Sequence, residues 1–195
     1  MRLFVALDIE DGVRARIARF MEGVQNFAPE ARWAKEASLH VTLKFIGEQP
    51  ESSLDEIKRA LASTTGKKVR VVFRGYGFFP TARSARVFWI GMEAGPELAG
   101  LASEVDAKLK TLGIPEEKRT FTPHLTLARR AGGSGAPNWR GADGSSRTFQ
   151  RLQEKLSSLP APDFGSMTAH EFFLYQSRLS PKGSSYTKLA NFDLA

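Results

Sequence analysis

Two short segments of the sequence each pair a histidine with a threonine two positions later. "LHVTLKF" contains His40 and Thr42, and "PHLTLAR" contains His124 and Thr126. Histidine exchanges protons near neutral pH because its ordinary pKa is close to 6.5, and a threonine hydroxyl can donate a hydrogen bond. A single histidine or threonine in a strand is most often a structural residue. Two copies of one pattern instead favour a shared chemical role.

Two opposed histidines suit in-line displacement at phosphorus. A neutral ring can remove a proton from the nucleophile while a charged ring protonates the leaving oxygen. The threonine hydroxyls can bind the non-bridging oxygens, where negative charge must be stabilised. A cyclic phosphodiester opened by water needs no metal in this scheme. A zinc site would also use His40 and His124, but the sequence offers no obvious third ligand near either, so we predict no metal and no cofactor.

The segment around His40 is expected to be a strand with its polar side chains on one side. Side chains alternate between the two faces of a strand, and residues two apart are about 6.6 Å apart along it. His40, Thr42 and Lys44 are therefore predicted on one face, and Val41 and Phe45 on the opposite, core face. The same alternation places His124 and Thr126 together on one face of the second strand.

The rest of the chain is predicted to supply two copies of one α+β unit. After His40 come an amphipathic helix and strands near residues 68 and 86; after His124 come a helix and strands near 166 and 184. Both strand offsets are larger by 14 residues in the second copy, since 42 − 28 = 14 and 60 − 46 = 14. The stretch 131–146, rich in Gly, Ser and Ala, can absorb this difference and is predicted to be a flexible surface loop.

Composition limits the classes of protein to which the chain can belong. Its 195 residues suit one domain, 1–195, built from two lobes. The absence of cysteine excludes disulfides and a cysteine nucleophile, and it is typical of a cytoplasmic protein. The opening apolar run is too short for a membrane span or a signal segment. A net charge of +7 is compatible with a polyanionic partner such as nucleic acid.

The two His-x-Thr segments and their flanks resemble the paired signatures of the 2H phosphoesterase superfamily. The closer resemblance is to the RNA 2′,3′-cyclic phosphodiesterase branch, historically called 2′-5′ RNA ligases. It rests on "LHVTLKFIGE" and "FTPHLTLAR", and also on "MRLFVALDI", "GYGFFP", "RVFWIGM" and "YQSRLSPKGSSYTKL". The resemblance covers nearly the whole chain. The Gly-rich insert at 131–146 is the main departure from the family pattern.

This resemblance implies an α+β fold with two pseudo-symmetric lobes. Each lobe would have an antiparallel sheet with helices on the outside, and the active-site groove would lie between the lobes. The implied activity is hydrolysis of a terminal RNA 2′,3′-cyclic phosphate to a 2′-phosphate. His40 would be the proton donor and His124 the proton acceptor, while Thr42 and Thr126 would bind the phosphate. The residues themselves are symmetric and leave the donor and acceptor roles open.

The resemblance also implies a phosphate-binding role for Arg129. Strict alternation puts Arg129 on the face opposite His124, so it reaches the phosphate only if the strand ends or bulges there. The third histidine, His170, has no comparable partner and is expected to be structural or exposed. Four aromatic residues are candidates for stacking on a base, and each can equally belong to the core: Phe45, Tyr76, Phe78 and Tyr186. Alternation along the strand assigns Phe45 to the core.

The expected partners are RNA ends that carry a 2′,3′-cyclic phosphate, fragments of tRNA among them. We expect a monomer without a membrane association. Two alternatives remain open from the sequence. One is a phosphodiesterase of the same superfamily that acts on 2′-5′ linked oligonucleotides or small cyclic nucleotides. The other is a non-catalytic RNA-binding module that uses the same groove.

Overall fold

A computed structural model describes residues 1–118, 120–131, 147–180 and 183–195. Within these ranges the chain forms nine strands and four α-helices. The strands are β1 (Arg2–Asp8), β2 (Ala31–Trp33), β3 (His40–Glu48), β4 (Val69–Phe79), β5 (Val87–Ala94), β6 (His124–Arg130), β7 (Asp163–Ala169), β8 (Glu171–Ser180) and β9 (Gly183–Asp193). The helices are α1 (Asp11–Val24), α2 (Leu54–Ala62), α3 (Pro96–Lys110) and α4 (Gln150–Ser157).

Two antiparallel sheets form the centre of the fold. The four-stranded sheet has the order β3-β1-β8-β9, and the five-stranded sheet has the order β2-β6-β5-β4-β7. Each sheet contains one of the two His-x-Thr strands, β3 in the first and β6 in the second. The α+β, two-sheet architecture predicted from the sequence is therefore confirmed.

The sheets do not correspond to consecutive halves of the chain. Strands β8 and β9, from the C-terminal part, pair with β1 in the sheet that contains His40. Strands β4 and β5, which follow His40, pair instead in the sheet that contains His124. Each sheet thus contains strands from both halves of the chain, and the chain crosses between the two sheets more than once.

The helices follow the apolar periodicity of the sequence. Helix α1 buries one stripe of side chains, Val13, Ile17, Met21 and Val24, against the core faces of the sheets. Helix α3 starts with Pro96 in its first turn and ends before Gly113, whose φ of 76° is a conformation that glycine adopts at little cost. Full burial of a side chain such as Ile17 contributes about 1.5–3 kcal/mol to stability.

Two features of the strands differ from the sequence prediction. The strand predicted near residue 166 was expected to run through "SMTAHEFFLYQS", but this segment is divided at His170 between β7 and β8, which belong to different sheets. His170 is exposed at this junction, as expected. The short strand β2 was not predicted, because its three residues are too few for a periodic pattern. The predicted flexible loop at 131–146 lies, from residue 132 onward, outside the described residues.

Candidate active site

Strands β3 and β6 bring the two motifs together where the sheets meet. Their Cα atoms approach within 8 Å of each other, although the strands belong to different sheets. Each strand presents its histidine and threonine as half-buried side chains, His40 with Thr42 and His124 with Thr126, between fully buried neighbours. We call the surface of the four-stranded sheet that carries His40, Thr42 and Phe4 its groove face.

Each motif strand contains a β-bulge directly after its threonine. In β3, Thr42 pairs with Ala6 and Lys44 pairs with Val5, so Leu43 has no partner in the ladder. In β6, the residues on either side of Leu127 pair with consecutive residues of β5. A bulge inserts one extra residue and reverses the alternation beyond it. The same irregularity therefore occurs at equivalent positions of the two motifs.

Because of the bulge at Leu43, Lys44 and Phe45 lie on the faces opposite to those predicted from the sequence. Lys44 points into the core side, where only 6% of it is exposed, and its ammonium forms an ion pair with Asp106. Phe45, predicted to be in the core, is 45% exposed and lies beside Phe4 on the groove face, with ring centroids 6.2 Å apart. Strict alternation failed here because the extra residue reverses the faces of Lys44 and Phe45, up to a second irregularity of the ladder at Ile46.

The equivalent bulge at Leu127 brings Arg129 to the side of His124. Arg129 is only partly exposed, and its positive charge acts on both His40 and His124. From the sequence, Arg129 could reach the site only if β6 ended or bulged there, and β6 does bulge. Burial lowers the pKa of Arg129, but an arginine keeps its charge at physiological pH. The site therefore has a permanent positive charge that acts on both histidines.

A backbone carbonyl orients each histidine ring. Nδ1 of His40 lies 2.7 Å from the carbonyl oxygen of Ser38, and Nδ1 of His124 lies 2.8 Å from that of Thr122. A carbonyl oxygen only accepts, so Nδ1 must be the nitrogen that carries the proton in each neutral ring. Nε2 is then the nitrogen that can exchange a proton with a substrate. Sequence reasoning missed these carbonyls, although both lie two residues before their histidine.

Burial is the largest influence on both imidazoles. The pKa of His40 is lowered from 6.5 to about 4, first by burial and then by the charges of Arg129 and His124. The bond to the Ser38 carbonyl and the Asp8 carboxylate oppose this shift. Burial and then Arg129 likewise lower the pKa of His124. Both rings are therefore neutral at pH 7 in the free protein, and an anion bound beside them would favour their charged forms.

Asp8 is the cross-strand neighbour of His40. Its carboxylate accepts hydrogen bonds from Arg14 at 2.7 Å, from Lys188 at 2.6 Å and from the backbone amide of Ile9 at 2.9 Å. Burial raises the pKa of Asp8, but these bonds outweigh it and leave the pKa below its ordinary value. Asp8 is thus a fixed negative charge near His40. No pattern in the sequence indicated that Asp8 lies beside His40, because this follows only from the pairing of β1 with β3.

Aromatic rings line both sides of the site. Phe4 and Tyr186 pack against the ring of His40, with centroid distances of 4.8 and 5.1 Å. Phe79 packs edge-on against His124 at 5.0 Å. Of the four candidate base-stacking residues, Phe45 and Tyr186 belong to the groove face. The other two, Tyr76 and Phe78, pack against Phe88 and the main core.

A pocket of about 590 Å³ opens beside His40. Its walls include Asp8, Arg14, Tyr175, Tyr186 and Lys188. Within the described ranges, no group of three or more His, Asp or Glu side chains is arranged to hold a metal ion. This pocket therefore lies on the His40 side of the site, since Thr42, His124, Thr126 and Arg129 are not among the residues that line it.

The sequence model of the 2′-5′ RNA ligase superfamily matches residues 9–162, which include both motifs. The chain belongs to this superfamily. It is a 2H phosphoesterase and an enzyme of the hydrolase class, as the sequence predicted. Within the part of this 2H phosphoesterase that the structure describes, no helix is long and apolar enough to cross a membrane.

Curated relatives and solved structures are similar to the 2H phosphoesterase over nearly its full length. A protein of Archaeoglobus fulgidus named RNA 2′,3′-cyclic phosphodiesterase is 34% identical and covers 99% of this chain and 100% of its own. The structure of TT0787 of Thermus thermophilus superposes with a TM-score of 0.76 at 30% identity, covering 100% of this chain and 98% of that one. Escherichia coli LigT complexed with 3′-AMP gives a TM-score of 0.76 at 26% identity, covering 99% and 97%.

Proposed function

We propose that this 2H phosphoesterase hydrolyses the 2′,3′-cyclic phosphate at the end of an RNA chain and leaves a 2′-phosphate. Water forms the new bond to phosphorus, and the bond from phosphorus to the 3′ oxygen breaks. His124 accepts the proton of the water, and His40 donates a proton to the departing 3′ oxygen. The overall reaction consumes one water and needs no oxidant, reductant or metal ion.

The observation that carries this proposal is the pairing of two carbonyl-oriented histidines around one arginine. In-line displacement needs a base and an acid on opposite sides of phosphorus, and His40 and His124 come from different sheets. Both rings have their Nδ1 atoms occupied, so each offers Nε2 for proton transfer. Relatives named RNA 2′,3′-cyclic phosphodiesterase support the choice of substrate.

The assignment of His40 as the proton donor follows from the resemblance to the family. At His40 the carboxylate of Asp8 favours the protonated ring, but the charge of Arg129 opposes it more strongly; at His124 the charge of Arg129 also favours the neutral ring. In the free enzyme burial outweighs Asp8 and keeps His40 neutral. The cyclic phosphate carries a negative charge, and its binding beside His40 would raise the pKa of that ring toward neutrality.

The remaining groups would stabilise the charge on the phosphate. The hydroxyls of Thr42 and Thr126 would donate to the non-bridging oxygens, and the guanidinium of Arg129 would bind them through two parallel hydrogen bonds. Arg129 suits this role because it has no carboxylate within 4.0 Å among the described residues. A binding site for an anion therefore needs no rearrangement of an existing ion pair.

The test is hydrolysis of a synthetic oligoribonucleotide ending in a 2′,3′-cyclic phosphate, with EDTA in excess. We expect multiple turnovers and a product that is exclusively the 2′-phosphate, identified by ³¹P NMR. A 3′-phosphate product would contradict the assignment of the leaving oxygen, and loss of activity in EDTA would contradict a metal-independent reaction. A panel with a 2′-5′ linked dinucleotide and mononucleoside cyclic phosphates distinguishes the alternative substrates.

The monomeric state, a cytoplasmic location and tRNA fragments as substrates stay predictions.

A further inference from the structure

Arg2 lies on the groove face, at the opposite end of β1 from Asp8. Side chains alternate along β1, so that Leu3 is in the main core while Phe4 belongs to the separate cluster on the groove face. Arg2 pairs with Ser177 of β8 in the same regular register in which Phe4 pairs with Tyr175. Arg2 is therefore one step beyond Phe4, about 6.6 Å along the strand, and the ring of Phe4 contacts His40.

Two neighbouring rows of side chains cross this face. Cross-strand pairing places Phe45, Phe4 and Tyr175 in one row. The next row contains Arg2, Ser177 and Tyr186, which offer a guanidinium and two hydroxyls. An aromatic row followed by a row of hydrogen-bond donors matches the alternation of bases and phosphates along single-stranded RNA.

The positive charge of Arg2 acts on Arg129. This repulsion contributes to the lowered pKa of Arg129, after the larger effect of burial. In the described part of the chain, no carboxylate lies within 4.0 Å of either guanidinium. Glu48 is directly across from Arg2 in the ladder, but its exposed carboxylate instead lies 3.7 Å from the amino terminus. Two like charges that face one groove without a counterion favour a ligand with two anionic groups.

We propose that Arg2 binds the phosphodiester on the 5′ side of the terminal nucleotide and thereby makes the enzyme prefer an RNA chain to a mononucleoside cyclic phosphate. This inference rests on the proposed function, in which Arg129 holds the cyclic phosphate itself. The next phosphate of the RNA is the second anionic group, and a mononucleoside 2′,3′-cyclic phosphate lacks it. Ser177 and Tyr186 would add hydroxyl donors to the same phosphate.

The experiment compares two substrates that differ by one phosphodiester. The first is adenosine 2′,3′-cyclic phosphate, and the second is the dinucleotide ApA with a terminal 2′,3′-cyclic phosphate and a free 5′ hydroxyl. In Arg2→Gln, we expect kcat/KM for the dinucleotide to fall by about tenfold or more, because a charge-assisted hydrogen bond is lost, with the mononucleotide unchanged. Arg2→Lys should recover part of the loss. The control Arg59→Gln removes an exposed arginine of α2 and should change neither rate.

The salt dependence of the dinucleotide reaction gives a second measurement. Contact with one phosphate fewer should reduce the slope of log KM against log salt by about 0.7 in Arg2→Gln. Equal losses on both substrates, or no loss on either, would overturn the role of Arg2 while the proposed function stands. A wild-type enzyme that hydrolyses neither substrate would instead overturn the proposed function, on which the inference rests. Thermal unfolding of each variant separates these results from a loss of folded protein.

Discussion

Phe45 and Arg129 occupy equivalent positions, each five residues after the histidine of its motif and each two residues after a bulged leucine. The bulges at Leu43 and Leu127 return both side chains to the same side as the histidines. One lobe thus contributes an aromatic ring and the other a guanidinium. The pseudo-symmetric framework therefore carries an asymmetric pair, which suits a ligand with a base at one end and a phosphate at the other.

Phe45 is expected to contribute to RNA binding and little to stability. It is 45% exposed, so Phe45→Ala should lower the free energy of unfolding by less than about 1 kcal/mol. Loss of a stacked base should raise KM for an oligonucleotide by about fivefold or more, and Phe45→Trp should restore it. Leu112→Ala, at an exposed apolar side chain after α3, is the control. A large loss of stability with unchanged KM would assign Phe45 to the core after all.

Arg129 is expected to affect both the rate and its pH dependence. Arg129→Met should reduce kcat/KM by about 10²–10³, because one donor to the developing charge is lost. Its charge lowers the pKa of His40 and of His124, so its removal should move the alkaline limb of the profile to higher pH. Arg130→Met removes the exposed neighbour and should change neither property. A limb that stays in place or moves to lower pH would show that Arg129 is not beside the histidines.

The pH dependence of the wild-type enzyme follows from the two buried imidazoles. Catalysis needs one charged and one neutral ring, so the rate falls about tenfold per pH unit above both pKa values. Since burial lowers both pKa values in the free enzyme, the alkaline limb of kcat/KM should begin below the ordinary histidine pKa of 6.5. The bound phosphate favours the charged rings, so the limb of kcat should lie at higher pH. Coincident limbs for kcat and kcat/KM, measured across the acidic and neutral range, would contradict this account.

Lys44 is expected to hold the His40 strand against the segment that leads to His124. Its ammonium pairs with Asp106 and donates to the carbonyl of Pro115 at 2.6 Å. Lys44→Met leaves the mostly buried Asp106 carboxylate without its cation, although the backbone amide of Glu117 still donates to it, and should destabilise the fold by about 3 kcal/mol in urea unfolding. The double variant with Asp106→Leu should recover much of this loss. A double variant no more stable than the single one would contradict the pairing as the cause.

The repeated His-x-Thr pattern singled out four residues because residue type and spacing alone carry that signal, and the structure places their two strands side by side. The chemical roles of the four residues stay predictions. Strict alternation placed Lys44 and Phe45 on the wrong faces of β3, and it let Arg129 reach the site only if β6 bulged. A bulge depends on the pairing of two strands and leaves no mark in the local sequence. No sequence pattern indicated Asp8 or Arg2, because their roles depend on which strands lie beside β1. Division of the strand at His170 was also missed, because the apolar run continues across the change of sheet.

The most direct test of the account is turnover of an RNA 2′,3′-cyclic phosphate by three histidine variants in excess EDTA. His40→Ala and His124→Ala should each reduce kcat by at least about 10², the usual contribution of one general acid or base, with unchanged thermal unfolding. His170→Ala, at the exposed third histidine, should retain wild-type turnover. Wild-type turnover by either His40→Ala or His124→Ala would contradict catalysis by the two-histidine pair.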